Sequence, residues 1–184
     1  MRAPDRLTEQ LTEKFRQISL LLYDTNVASS ELEAEVFPFM DPRVRFVDPW
    51  QEGTGLANYR DGAAGFHCML RFDLVISQVG VQLDLGTKRG RAIVDGVMNL
   101  KQLSFLYTYR LRTLLTYEFT LTSEGDSERA PGFLIQTHEE MWSLGDMIAA
   151  VPAAGWVYQR LFRPAFSQGF LAASSLCRRL RAGA

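Results

Sequence analysis

The hydrophobic pattern changes period twice along the chain. Leu11, Phe15, Ile18 and Leu22 share one face of a helix over about Thr8 to Tyr23. Ser30 and Glu33 have capping-box spacing and start a second, short helix carrying Leu32, Val36 and Phe37, closed by Pro42. A strand follows with Val44, Phe46 and Asp48 on one face, and Pro49 stops it. Thr54 is placed to cap a third helix carrying Leu56, Tyr59, Ala63, Phe66 and Leu70. From Phe72 the period is two, with strands predicted at about 72–84, 91–103, 111–122 and 133–142. In the third of these, Leu111, Thr113, Leu115, Tyr117, Phe119 and Leu121 face one way, while Arg112, Thr116, Glu118, Thr120 and Thr122 face the other. In the last, strict alternation puts His138 with Gln136, Glu140 and Trp142. After Gly145 the pattern is helical again, interrupted near Pro152, Gly155 and Pro164. Helices followed by a run of long antiparallel strands predict an α+β domain, with the helices on one face of the sheet.

Composition adds a division of charge. The chain has 184 residues, 47% apolar and 22% charged, ordinary values for a folded domain that can bury a full core. From Met147 to Ala184 there is no acid and there are five arginines: Arg160, Arg163, Arg178, Arg179 and Arg181. That leaves 15 of the 20 bases against all 21 acids before Met147, so the body is near −6 and the tail +5. The reading is a domain over 8–144 and a basic helical extension over 145–184. Only Cys68, Cys177, His67 and His138 are available as soft ligands, without a CxxC pair. No zinc cage or disulfide framework is expected, and an intracellular, reducing compartment fits. The N-terminus lacks a hydrophobic signal region and carries more acids than a transit peptide does. The acidic body and the absence of glycine-rich phosphate motifs argue against nucleotide and nucleic-acid binding.

Asp48 is the first candidate for chemistry. It closes a strand face otherwise made of Val44 and Phe46, and a carboxylate among apolar groups is pushed toward the range a general base needs. His138 is the second candidate. Glu139 and Glu140 read as surface acids, because neighbours on a strand face opposite sides. His67 beside Cys68 is a weak metal signal and is discounted.

The element order, with Phe46-Val47-Asp48-Pro49-Trp50 leading into Gly55-Leu56-Ala57-Asn58-Tyr59, resembles the nuclear transport factor 2-like superfamily. That superfamily includes the SnoaL-like and ketosteroid isomerase-like families. The run Ile135-Gln136-Thr137-His138-Glu139-Glu140-Met141-Trp142 is similar to the last strand of SnoaL-like domains, including a branch found in organelle proteins. The resemblance implies a cone: a curved antiparallel sheet with three N-terminal helices packed on its concave face, followed here by a helical tail. It implies a pocket, for which Phe46, Trp50, Tyr59, Tyr117 and Trp142 are the expected lining. In isomerases of this kind the aspartate matching Asp48 shuttles a proton between carbons. Tyr23 lies near where they carry an oxyanion-binding tyrosine. Their second, protonated acid has no counterpart in Leu115-Thr116-Tyr117-Glu118, and a missing oxyanion donor costs about 3 kcal/mol of transition-state stabilisation.

Two functions follow. The lead reading is a non-catalytic binding or assembly subunit built on a pocketed domain, in cytoplasm or mitochondrion, within an organelle complex. The alternative is an isomerase- or cyclase-type enzyme using Asp48, with Tyr23 and His138, on a hydrophobic small molecule. No cofactor is expected for either. Partners expected are a protein or a second copy of the chain; residues 147–184, with their arginines and the stripe Phe162, Phe166, Phe170, either cover the sheet or close the pocket mouth, or dock on an acidic partner or an anionic membrane surface.

Overall fold

Helix α1, Ala3–Leu22, begins earlier than its apolar stripe because polar residues extend it by a turn. Leu11, Phe15 and Ile18 are fully buried, and the helix packs on strands β3 (Phe72–Asp84) and β4 (Arg89–Leu100). The computed structural model describes residues 3–49, 51–101, 108–122, 132–142, 144–149 and 151–169. Helix α2, Ser29–Glu35, is capped by Ala28 without a side-chain hydrogen bond, so the capping box expected of Ser30 and Glu33 does not form. Glu33 instead pairs with Arg60 at 3.0 Å. A 3-10 turn, Phe37–Phe39, leads into β1, Met40–Val47. The strand therefore starts before Pro42 instead of after it. Pro42 has no N–H to donate and sits where the register against β6 slips, between Met40 and Arg45.

Thr54, expected to cap the third helix, instead lies in a short strand β2, Glu52–Thr54, paired with Arg45 of β1, so it cannot cap helix α3, Leu56–Met69. The chain must turn from strand to helix in a single residue, and Gly55 does so at φ +92°, where a side chain would be strained.

The remaining strands are β5, Tyr109–Leu121, and β6, Phe133–Trp142. All six form one sheet in the order β2-β1-β6-β5-β4-β3. Its strands pair antiparallel except for β1 and β6, which run parallel and join the start of the domain to its last strand. Bulges between Ile76 and Gln78 and between Glu118 and Phe119 strengthen the local twist, and the sheet curves without closing. On β5 Leu111, Thr113, Leu115, Tyr117 and Phe119 are buried as the alternation predicts, but Thr116, placed on the other face, is buried as well and Leu121 is only half-buried. Arg112 and Glu118 on the other face pair across strands with Asp95 and Arg91. Phe15 of α1 meets the rings of Tyr117, Phe119 and Phe133 at 4.9–5.4 Å, which makes it the centre of the core.

The chain separates into two compact units, Met1–Trp142 and Ser143–Ala184. In the second, α4 (Leu144–Ala149), α5 (Pro152–Val157) and a π-helical turn (Tyr158–Phe162) are followed by helical backbone over 163–169. Tyr158 stacks on Phe162 and Phe162 on Phe166, at 5.6 and 5.9 Å. Phe170, Arg178, Arg179, Arg181 and Cys177 lie outside the described residues, as does Trp50. Among the described residues no helix is long and apolar enough to cross a membrane.

Candidate active site

Strand β6 brings two polar side chains into the core because its alternation slips by one residue. Thr137 faces Glu118 on β5, but Phe119 faces Ile135, so Gln136 is the extra residue of a bulge. Phe133 and Ile135 point inward before it, and His138 and Glu140 point inward after it. Strict alternation had placed Gln136 with His138; the bulge leaves Gln136 exposed. Glu140, read from sequence as a surface acid, is 3% exposed.

These two groups are satisfied by three neighbours. Tyr59, from α3, has its hydroxyl 2.7 Å from His138 Nδ1. Tyr23, at the end of α1, lies 3.3 Å from His138 Nε2 and donates to Glu140 Oε2 at 2.9 Å. Trp142 donates its indole N–H to Glu140 Oε1 at 2.8 Å. Tyr117 stacks on the imidazole at 4.5 Å and shares a 2.9 Å hydrogen bond with Ser19. Burial strips water from the whole cluster and sets its protonation. It pushes Glu140 up to about 7, against the pull of the Tyr23 and Trp142 hydrogen bonds, and the charge of Asp48 adds to the rise. It holds His138 down to about 3, so the ring is neutral at physiological pH. The Tyr23 and Tyr59 hydroxyls are raised well above their usual range by burial first, with nearby Glu140 adding to it.

The cluster forms the floor of a cavity of about 310 Å³. Leu22, Phe46, Ala63 and Phe66 supply apolar wall, and Asp48, Gln51, Glu52 and Asn58 supply polar groups. Asp48 is half-buried, just beyond β1. Gln51 donates to both of its oxygens, from the backbone at 2.8 Å and the side chain at 3.0 Å, and this turn fixes the carboxylate beside the cavity.

The structure thus brings Asp48, Tyr23, His138, Phe46 and Tyr59 to one cavity. Tyr117 and Trp142, expected to line it, are not among its lining residues: they back His138 and Glu140 through ring stacking and a hydrogen bond. His67 is turned toward the backbone, where its Nε2–H donates to the Leu22 carbonyl at 2.7 Å. Among the described residues no group of His, Cys, Asp and Glu converges to hold a metal ion. The residue that sequence reasoning missed is Glu140. The available signal was two polar residues, His138 and Glu140, two apart on a strand whose neighbours Phe133 and Ile135 are core residues.

No protein-family model matches the chain, and no curated protein matches its sequence. Solved structures do match its shape. One is a nuclear transport factor 2-like protein with a cystatin-like fold from Novosphingobium aromaticivorans, with TM-score 0.58 and 11% identity over 80% of this chain and 90% of that one. Another is nuclear transport factor 2 from Cryptosporidium parvum, with TM-score 0.55 and 14% identity over 74% of this chain and 94% of that one. LinA is a third, with TM-score 0.58 and 10% identity over 78% and 91% of the two chains. At such identities the likeness establishes the fold alone: this chain has the nuclear transport factor 2-like fold, which carries unrelated activities on one scaffold.

Proposed function

We propose that the unit Met1–Trp142 is an acid–base enzyme of the isomerase or cyclase type, acting on a small, largely hydrophobic molecule that bears a carbonyl oxygen. The observation that supports this reading is that two of the three carboxyl groups at one cavity, Asp48 and Glu140, lie in different surroundings, while the third, Glu52, is paired with Arg45. Glu140 lies buried in the floor, which raises it to about 7, while Asp48 is half-buried and held by Gln51. Such a pair can divide the work of acid and base between them. Asp48 is the general base and Phe46 and Phe66 hold the apolar body of the substrate. The test is exchange of α-hydrogens into a panel of hydrophobic cyclic ketones in D2O, followed by proton NMR. Asp48→Asn should lower protein-dependent exchange by about 10²–10⁴-fold while the fold is retained. Parent-like exchange in that variant rejects the base.

The second reading, an assembly subunit, is favoured by the other unit. Phe162 and Phe166 are 56% and 65% exposed in the stacked ladder, flanked by exposed Arg160 and Arg163. Aromatic surface among arginines suits an anionic surface, on an acidic protein or a membrane. Such a subunit would work in a reducing compartment, cytoplasm or mitochondrion, where an exposed thiol such as Cys68 persists.

A further inference from the structure

The hydrogen bonds on the cavity floor form one unbranched chain, and counting its protons shows that it has two directions. Trp142 has only a donor and occupies a lone pair of Glu140 Oε1, whereas Oε2 faces the Tyr23 hydroxyl, so a proton on the carboxyl finds its acceptor from Oε2. When Glu140 is ionised, Tyr23 spends its single proton on Oε2. Its oxygen must then accept from His138 Nε2–H. The neutral ring has one proton, so Nδ1 is bare and takes the hydroxyl proton of Tyr59. Tyr59 then offers the cavity only lone pairs. When Glu140 is protonated every bond reverses. Oε2–H donates to Tyr23, Tyr23 to Nε2, and Nδ1–H to Tyr59, whose own O–H becomes free. Tyr59 is the least buried of the four groups, at 8%, and it lines the cavity.

We infer that Glu140, Tyr23, His138 and Tyr59 form a proton relay that delivers a proton through the Tyr59 hydroxyl to a carbonyl oxygen bound in the cavity. This rests on the proposed acid–base function and names the substrate class and the proton donor. The step balances. The C–H bond next to the carbonyl breaks, its proton goes to an Asp48 oxygen, and its electron pair forms the C=C bond. The carbonyl π electrons take the proton of Tyr59. Tyr59 is reprotonated from His138 Nδ1, Nε2 takes the proton of Tyr23, and Tyr23 takes that of Glu140. A ketone has become an enol, Asp48 is neutral and Glu140 ionised, so the Asp48–Glu140 pair carries one negative charge before and after. The groups that face Glu140 are consistent with this exchange: Tyr23 from α1, Tyr59 from α3, Tyr117 from β5, His138 from β6 and the Asp48 carboxylate after β1. Tyr59 is the catalytic residue of this relay; His138, Tyr23 and Glu140 act through it.

The relay predicts a tautomer change that can be seen without any ligand. The chain contains only two histidines, so histidine labelled with ¹⁵N gives a resolved pair of rings. Between about pH 5 and 8, His138 should stay neutral and pass from the Nδ1–H form at low pH to the Nε2–H form at high pH, with a midpoint near 7. Glu140→Gln should abolish the change. Tyr23→Phe, which keeps the ring and cuts the chain, should abolish it as well and serves if the first variant fails to fold. A single tautomer across the range, an imidazolium signal near pH 6 (about half a unit below the ordinary histidine value), or a switch that survives in a folded variant overturns the relay. Asp48→Asn exchange data separate the two proposals. Loss of exchange with a static His138 keeps the base and removes the relay. A moving His138 with undiminished exchange removes Asp48 as base and keeps the relay as a floor that selects carbonyl ligands.

Discussion

Glu140 and His138 are buried side by side on one strand, and burial moves their proton affinities in opposite directions. Glu140 binds its proton more tightly in the folded state, rising from 4.5 to about 7, so its contribution to stability is full at low pH and is lost as pH rises through that window. His138 falls from 6.5 to about 3, so its contribution is full at high pH and is lost as pH falls through that range. Between about pH 4.5 and 6.5 the two slopes oppose each other. Glu140→Gln removes one arm. The stability of the parent relative to this variant should therefore decline as pH rises from 4.5 to about 7, by about 3 kcal/mol in all. Urea denaturation across that range measures it. Parallel profiles for the two proteins would mean that Glu140 titrates alike in the folded and unfolded chains.

At the scale of elements, the β4–β5 pair shows how strand register and core packing depend on each other. Gly90 faces Phe119, and a Cβ built on Gly90 would stand 2.3 Å from the Phe119 ring. That ring cannot retreat easily, since Phe15 and Phe133 contact it at 4.9 and 5.6 Å. Gly90→Ala should cost about 1–3 kcal/mol by overpacking, and Phe119→Ala about 3–5 kcal/mol by leaving a cavity. Adding Phe119→Leu to Gly90→Ala should recover part of the first loss, because the smaller side chain makes room for the methyl group. Thermal denaturation of the three variants checks the set. A Gly90→Ala protein that melts with the parent would show that the ring is free to move.

At the scale of the whole molecule, charge is divided between the acidic first 146 residues and the acid-free remainder. The exposed aromatic ladder of the second unit lies among its arginines, so the full chain should bind anionic vesicles. Each basic group near such a surface contributes about 1 kcal/mol, screened over about 8 Å at physiological ionic strength. Binding should weaken with added salt, and Arg160→Gln with Arg163→Gln should weaken it further at low salt. Sedimentation with phosphatidylserine vesicles reads both effects. Failure of the parent to sediment at low salt would leave an acidic protein as the remaining anionic surface for this reading.

The sequence by itself determined the parts of this protein that depend on local period and local charge. The stripe of Leu11, Phe15 and Ile18, the alternation along β5, the placement of Phe46 with Asp48 and the division of charge were all legible, because each is written within a few residues. So was the resemblance to the nuclear transport factor 2-like fold, through the run from Phe46 to Tyr59. Only the tertiary structure decided what depends on a partner strand or helix. Ser30 and Thr54 have the chemistry of helix caps, yet Ala28 and Gly55 hold those positions, because β2 takes up Thr54 and a pairing with Arg60 takes up Glu33. The parallel pairing of β1 with β6 joins residues nearly a hundred positions apart, as with Phe46 and His138. Glu140 became an interior acid through the bulge at Gln136, which shifts strand parity by one. Nothing in the local pattern marks that residue as extra, because a bulge exists only relative to the strand beside it.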